Sequence, residues 1–322
     1  FSLKEIKLIS KSLKVLTNGI IHKDGIWKKD LKKIEKLKER FERISLSKLS
    51  EVDKIYWLVE DCKRYGTLPF AGLARTAFIA TQILNSLVEI KIISENDKLS
   101  FLNSLRTINS IMTEDFQKLT KSSFLSKYGH LRPGTYDISS YRYDELPNLY
   151  FDWKKKKKIL PSKEKFNLKV NQIYKLDKYL KKYELNQTPM GLFHFIKSVI
   201  EAREYAKFIF SKNVSEILSL ICTTGKKLGF SREELAFVNI KDILNNYSSS
   251  TNINTELQTS IKTGKRKFSK SEKILLPPII KSGREVYNFL IEDFKPNFIT
   301  KQKVIALVSN NFQNINNRIV FI

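Results

Sequence analysis

The sequence predicts a mainly α protein with a few short strands, the last at its C-terminal end. Three observations carry this. Apolar residues recur at helical spacing over most of the chain. One stretch from Thr188 to about Gly225 holds that period without a break. Strand-like patterns are confined to Lys303–Val308 and Arg318–Ile322, with a short extended piece at Ala236–Ile240. No repeat of 20–50 residues is visible, so no solenoid is expected.

The elements follow in order. Asp30 to Ile44 places Leu31, Ile34, Leu37, Phe41 and Ile44 on one helical face. Ser50 is an N-cap with Asp53 at N3, and Val52, Ile55, Tyr56, Val59 and Cys62 form the stripe behind it. Gly66 is a helix stop and a new helix starts near Pro69. That helix is apolar almost all round, from Ala71 to Val88, so it is expected to be central. Gly72, Ala74 and Ala77 would let a neighbour come close. Helices over 96–112 and 114–127 follow, the second capped by Thr113 and stopped near Gly129. From Gly129 to about Leu160 no long helical pattern exists, yet Tyr136, Tyr141, Tyr143, Tyr150, Phe151 and Trp153 argue for order. Helical periodicity resumes over Phe166–Tyr183. Thr188-Pro189 is a cap and first-turn pair, and Ser231-Arg-Glu-Glu234 is a capping box. Ser248–Asn254 and Leu276-Pro-Pro278 are breaks.

The chain has 322 residues and a net charge of +25. Such a charge attracts nucleic acid or any anionic surface. The abundance of Lys, Ile, Asn, Phe and Tyr beside scarce Gly and Pro also marks codon bias, and no nucleic-acid recognition motif accompanies the charge, so nucleic acid is not the expected partner. The five-lysine run Lys154–Lys158 reads as a solvated loop. Two cysteines, Cys62 and Cys222, fit a reducing compartment and a cytoplasmic protein. No run approaches a membrane span, so no membrane partner is expected. The chain opens on Phe1 rather than Met and closes on Arg318-Ile-Val-Phe-Ile322, so both ends read as cuts from a longer polypeptide.

Phosphate loops, zinc-protease motifs, Cys pairs and nucleophile elbows are absent, and His22, His130 and His194 are too scattered for a metal site. Two segments are under special demand. Arg64-Tyr-Gly-Thr-Leu-Pro-Phe-Ala-Gly-Leu-Ala-Arg75 puts Arg64 and Arg75 at the ends of a turn between helices. There they would bind a carboxylate or phosphate, or pair internally with Asp61 or Asp137. In Tyr128–Glu145, Gly129, Pro133 and Gly134 shape a loop on which His130, Arg132, Thr135, Asp137, Arg142, Asp144 and Glu145 converge, either to bind a ligand or to tie the loop down. Glu201-Ala-Arg203-Glu204 reads as a solvated helix face. His194, between Phe193 and Phe195, reads as packed.

Tyr128-Gly-His-Leu-Arg-Pro-Gly-Thr-Tyr-Asp137 resembles the Tyr-Gly-His-Arg-Gly-Pro-Gly-Glu-x-Asp motif of the phosphoenolpyruvate synthase and rifampin phosphotransferase superfamily. Ala202-Arg-Glu-Tyr-Ala-Lys-Phe208 and Gly229-Phe-Ser-Arg-Glu-Glu-Leu-Ala-Phe-Val238 are similar to that group's Arg-Glu-x-x-Lys-Phe and Asp-Asp-x-Phe-x-Leu segments. The variant Leu131-Arg-Pro-Gly-Thr-Tyr-Asp-Ile138, with Lys63–Arg75, looks like a narrower branch that includes L-glutamine kinase. Here Leu131-Arg132 replaces the usual Arg-Gly and Thr135 replaces Glu.

The resemblance implies the central helical, acceptor-binding domain over 1–294, followed over 295–322 by a linker and the first strand of a swivelling phosphohistidine domain. It implies that ATP and Mg belong to an ATP-grasp domain elsewhere, with no cofactor on this chain. In that scheme ATP and water give AMP, phosphate and a phosphohistidine on the swivelling domain, and an acceptor such as the L-glutamine amide takes the phosphoryl group from it. His130 is then not the phosphocarrier. His130 and Asp137 are the catalytic candidates. Arg64, Arg75, Arg132, Thr135, Arg142, Asp144, Glu145 and Arg203 are the substrate-binding ones. A basic nucleic-acid module and a spacer between catalytic domains are the alternatives.

Overall fold

The computed structural model describes residues 2–22, 24–153, 166–247, 252–277, 279–287, 305–308 and 318–319. The lysine run, the break at Pro278 and the linker at 295–304 lie outside the described residues, as do parts of the expected strands at either end of the last segment.

Helix α1 (Leu3–Ile21) opens on a capping box between Ser2 and Glu5. It leaves much of its apolar face exposed and is held at its C-terminal end. There Asn18 donates to the Glu184 carbonyl and Gln187 donates to the Ile21 carbonyl. Helix α2 (Ile26–Leu46) buries Ile34, Leu37, Phe41 and Ile44, the stripe expected from the sequence. Helix α3 (Glu51–Asp61) starts at Ser50, whose hydroxyl accepts from the Asp53 N–H.

The expected stop at Gly66 does not occur. Cys62–Thr67 forms a π turn that runs directly into α4 (Leu68–Glu89). The wider π ring takes up one extra residue just before Pro69, which has no N–H to donate, so the helix continues instead of breaking. Gly66 is buried where a Cβ would press on Phe210 and Leu37. Helix α4 is central, as its all-round apolar pattern required: Leu73, Ala80 and Leu84 have no exposed surface.

The two expected helices over 96–127 are three. Helix α5 (Glu95–Asn103), α6 (Ile108–Lys118) and α7 (Lys121–Tyr128) begin at Ser94, Thr107 and Thr120. Each cap hydroxyl accepts an N–H of the first turn. Thr113, expected as a cap, is inside α6 and donates to the Asn109 carbonyl. A short α8 (Pro147–Tyr150) interrupts the long loop. Helix α9 (Val170–Lys182) leads to α10 (Pro189–Lys227), the 39-residue spine, started by Thr188 and Pro189 as expected. His194 is exposed, against the expectation of packing. Phe193 and Phe195 occupy the two buried directions, and the residue between them points outward.

After α10 come α11 (Arg232–Leu235) with its capping box, α12 (Ile240–Asn246), α13 (Ile253–Ser271) and a 3₁₀ turn at Gly283–Val286. Strand β1 (Leu307–Val308) pairs in parallel with β2 (Arg318–Ile319). The protein is therefore mainly α. Among the described residues, no helix is long and apolar enough to cross a membrane.

Two cores form along α10. One joins α2, α4, α9 and the first half of α10 around Ile34, Leu84, Leu176 and Ile196. The second gathers Phe41, Ile55, Leu58, Ile217, Ile221, Leu235 and Leu257, and it also takes Ile138 from the long loop. Burying that one side chain contributes about 1.5–3 kcal/mol toward holding the loop on the bundle.

Candidate functional site

The loop leaves α7 at Gly129 and folds back on itself. Tyr143 donates its N–H to the Leu131 carbonyl at 2.8 Å, and Asp144 donates to the Gly129 carbonyl at 3.2 Å. An aromatic cluster of Phe116, Phe124, Phe151 and Trp153, with neighbouring rings 5.1–5.8 Å apart, seats its far end on α6 and α7.

Its arginines are engaged within the protein. Arg132 is buried and donates to the Ser140 carbonyl at 3.1 Å and to the Ser215 hydroxyl at 3.1 Å. Longer bonds reach the carbonyls of Asp137 and Ser215. Ser215 belongs to α10, so Arg132 staples the loop to the spine. Arg142 makes a two-pronged contact with Asp144, at 2.8 and 2.6 Å, and reaches Ser219 and Glu216 on α10. Glu145 receives both terminal nitrogens of Arg232, at 3.1 and 2.7 Å, and Arg232 stacks over the Tyr141 ring. Burial raises the Glu145 pKa, but the Arg232 hydrogen bond and that of the Arg142 N–H outweigh it, so the carboxyl sits below the usual range. Arg142, Asp144 and Glu145 thus act first on each other and on the helices, as positioning groups.

Asp137 differs. Its Oδ1 accepts from the N–H and hydroxyl of Ser139, at 2.9 and 2.6 Å, closing a tight turn. Among the described residues no Arg or Lys pairs with it. With Tyr136 it borders a cavity of about 310 Å³, otherwise walled by apolar side chains such as Val59, Leu218 and Val238. Thr135 is partly exposed beside it at the turn.

His130 is buried against Phe208 of α10, ring centroids 4.8 Å apart, and its Nε2 has no hydrogen-bond partner among the described residues. Burial, then the charges of Lys212 and Arg142, push its pKa down to about 3, against a weaker upward pull from a hydrogen bond with the Phe208 backbone. The unfolded imidazole takes up its proton near pH 6.5. Between those values the unfolded chain binds more protons than the folded one, so stability falls as pH falls. We expect the unfolding free energy to drop by up to about 1.4 kcal/mol per pH unit between pH 6 and 5, above the carboxylate range. Urea titrations should show this slope in the native chain and a flatter one in His130→Gln.

The other expected binders stand apart. Arg64, expected either to bind a carboxylate or phosphate or to pair with Asp61 or Asp137, is on the π turn, exposed, and paired with Glu60 at 3.1 Å; Asp61 pairs instead with Arg40 at 2.6 Å. Arg75 is exposed on α4, where its charge is felt by Asp30. Arg203 lies over the Phe78 ring beside Glu204. No turn brings Arg64 and Arg75 together, because the π turn replaces it.

Sequence reasoning missed Arg232 and a second cavity. Arg232 was read as part of a helix cap; an uncompensated acid in the loop was the signal that a cation had to come from elsewhere. The second cavity, about 400 Å³, lies between α2, α6, α7 and α10. Asn213 lines it with no exposed surface, and neither its Oδ1 nor its Nδ2 has a partner among the described residues. Each such buried orphan costs about 1–3 kcal/mol.

Among the described residues, no cluster of three or more His, Cys, Asp or Glu side chains is placed to hold a metal ion. No protein-family model, curated protein or solved structure matches the chain.

Proposed function

We propose that this chain is the central acceptor-binding domain of an ATP-dependent phosphotransferase, in which phosphohistidine carried by a swivelling domain phosphorylates a small polar acceptor, with L-glutamine the first candidate. What supports the reading is that the three separated segments bearing the resemblance meet in space. His130 of the first packs on Phe208 of the second, and Glu145 beside the first pairs with Arg232 of the third. Residues 78 and 87 positions apart in sequence thus join in one platform on α10 and α11.

In this scheme the platform's arginines and acids hold the loop in place, and Asp137 is the group left to act. Its carboxylate would accept a proton or hydrogen bond from the acceptor nitrogen as the phosphoryl group arrives. Asp137 is exposed at the mouth of the cavity, so water would be excluded there only when the phosphoryl-carrying domain docks over it. ATP and Mg belong to the ATP-grasp domain of the same scheme, and the cytoplasm is where such a reaction would run. Phosphorus NMR on the native full-length polypeptide, supplied with ATP, Mg and L-glutamine, tests this. The expected products are AMP, phosphate and a phosphorylated amide, with the rate cut about 100-fold or more in Asp137→Asn. Absence of AMP in the native protein would remove the proposal.

A further inference from the structure

The cavity between α2, α6, α7 and α10 shares no lining residue with the one at Asp137. Its volume, about 400 Å³, lies in the range of small-molecule sites. Lys38, Lys127 and Lys212 line it, and no Asp or Glu does. Two acids that touch its lining residues are already engaged. Asp115 takes Lys127 and the Tyr128 hydroxyl, both at 2.7 Å, and Glu35 accepts from the Tyr205 hydroxyl at 3.3 Å. Lys38 and Lys212 have no carboxylate partner among the described residues; the Lys212 ammonium lies 4.9 Å from the centre of the Phe41 ring. The cavity is therefore cationic, with aromatic walls.

Asn213 makes it more than a basic surface. It sits four residues after Ile209 and eight after Tyr205, on the face of α10 that they occupy, where a helix packed into a bundle ordinarily carries an apolar residue. Instead the position holds a wholly buried amide whose donor and acceptor are both unpaired. Buried polar groups are rarely left so, and one lining a cavity is matched by whatever enters it.

We propose that this cavity binds a small anion that also carries a carboxamide-like edge, its charge held by Lys38 and Lys212 and its donor–acceptor edge paired with the Asn213 amide, which turns from its buried position into the cavity to meet it. The assignment stands on the cavity and does not depend on the phosphotransferase reading.

Calorimetric titration of the chain with succinamate, which has one carboxylate and one carboxamide, is the test, with succinate as the comparison. Succinamate should bind more tightly than succinate, and its Kd should rise at least about tenfold in Asn213→Leu and in Lys212→Met. Asn213→Leu should melt at the same temperature as the native chain or higher, because it removes an unpaired amide. Lys212→Met, at a partly exposed site, carries the test should Asn213→Leu fail to fold. Failure of both compounds to bind, or equal binding in the folded variants, would overturn the assignment.

Discussion

Replacing Arg132 with Met should lower the unfolding free energy by about 3 kcal/mol. The guanidinium supplies hydrogen bonds to the carbonyls of Asp137, Ser140 and Ser215 and to the Ser215 hydroxyl, all at the seam between loop and spine. Removing it leaves several acceptors without donors, each costing about 1–3 kcal/mol where water cannot reach. A partial gain offsets this. Among the described residues Arg132 is a buried cation without a direct carboxylate partner and its Nε is unpaired, so the native state already bears a desolvation cost. The acceptors decide the sign because Met can satisfy none of them. Lys in its place should rescue little, since one ammonium cannot span acceptors on two segments. Urea unfolding checks this through the transition midpoint at constant slope. A loss below about 0.5 kcal/mol would mean that the loop is held by Ile138 and the Arg142 and Arg232 pairs alone.

Gly264→Ala should destabilise by about 2 kcal/mol, although helix propensity points the other way. In the interior of α13, alanine is favoured over glycine by about 1 kcal/mol. A Cβ at Gly264, however, would collide with the carbonyl of Phe237, and backbone cannot swing aside as a side chain can. Overpacking of this kind costs about 1–3 kcal/mol or more. Gly19 is the control: it lies in α1 with nothing within 4 Å of its would-be Cβ. Gly19→Ala should therefore raise stability, by up to about 1 kcal/mol. Thermal melts of the two variants should move in opposite directions. Movement of both upward would show that α13 can retreat from the Phe237 turn.

Local signals in the sequence carried much of the fold. The caps at Ser50, Thr188 and Ser231 act through hydroxyl-to-backbone bonds within three residues, so they were visible without tertiary context. The π turn was not. Gly66 and Pro69 individually signal a break; the π turn that carries the chain past them packs Gly66 under Phe210 and Leu37, contacts that sequence-local rules do not contain. Thr113 was mistaken for a cap because Thr107 and Thr120, which do cap, carry the same chemistry.

At the site, the residue types of the 128–145 loop announced a demanding segment, but its partners were 70 to 90 residues away on α10 and α11. The expected ligand-binding arginines are mostly positioning groups, since each found an internal acceptor. Asp137 kept its place as a candidate because no cation among the described residues pairs with it. Asn213 gave no signal, because one Asn in a long helix is unremarkable until its burial is known.

The central claim is that this chain binds a small polar acceptor at the Asp137 cavity. Calorimetric titration with L-glutamine, at about 0.15 M salt where the Debye length of about 8 Å screens the bulk positive charge, measures it most directly. The account predicts saturable, single-site binding that weakens at least about tenfold in Asp137→Asn and is not reproduced by D-glutamine. No heat of binding, or heats that are the same for both enantiomers and unchanged in the variant, would contradict it.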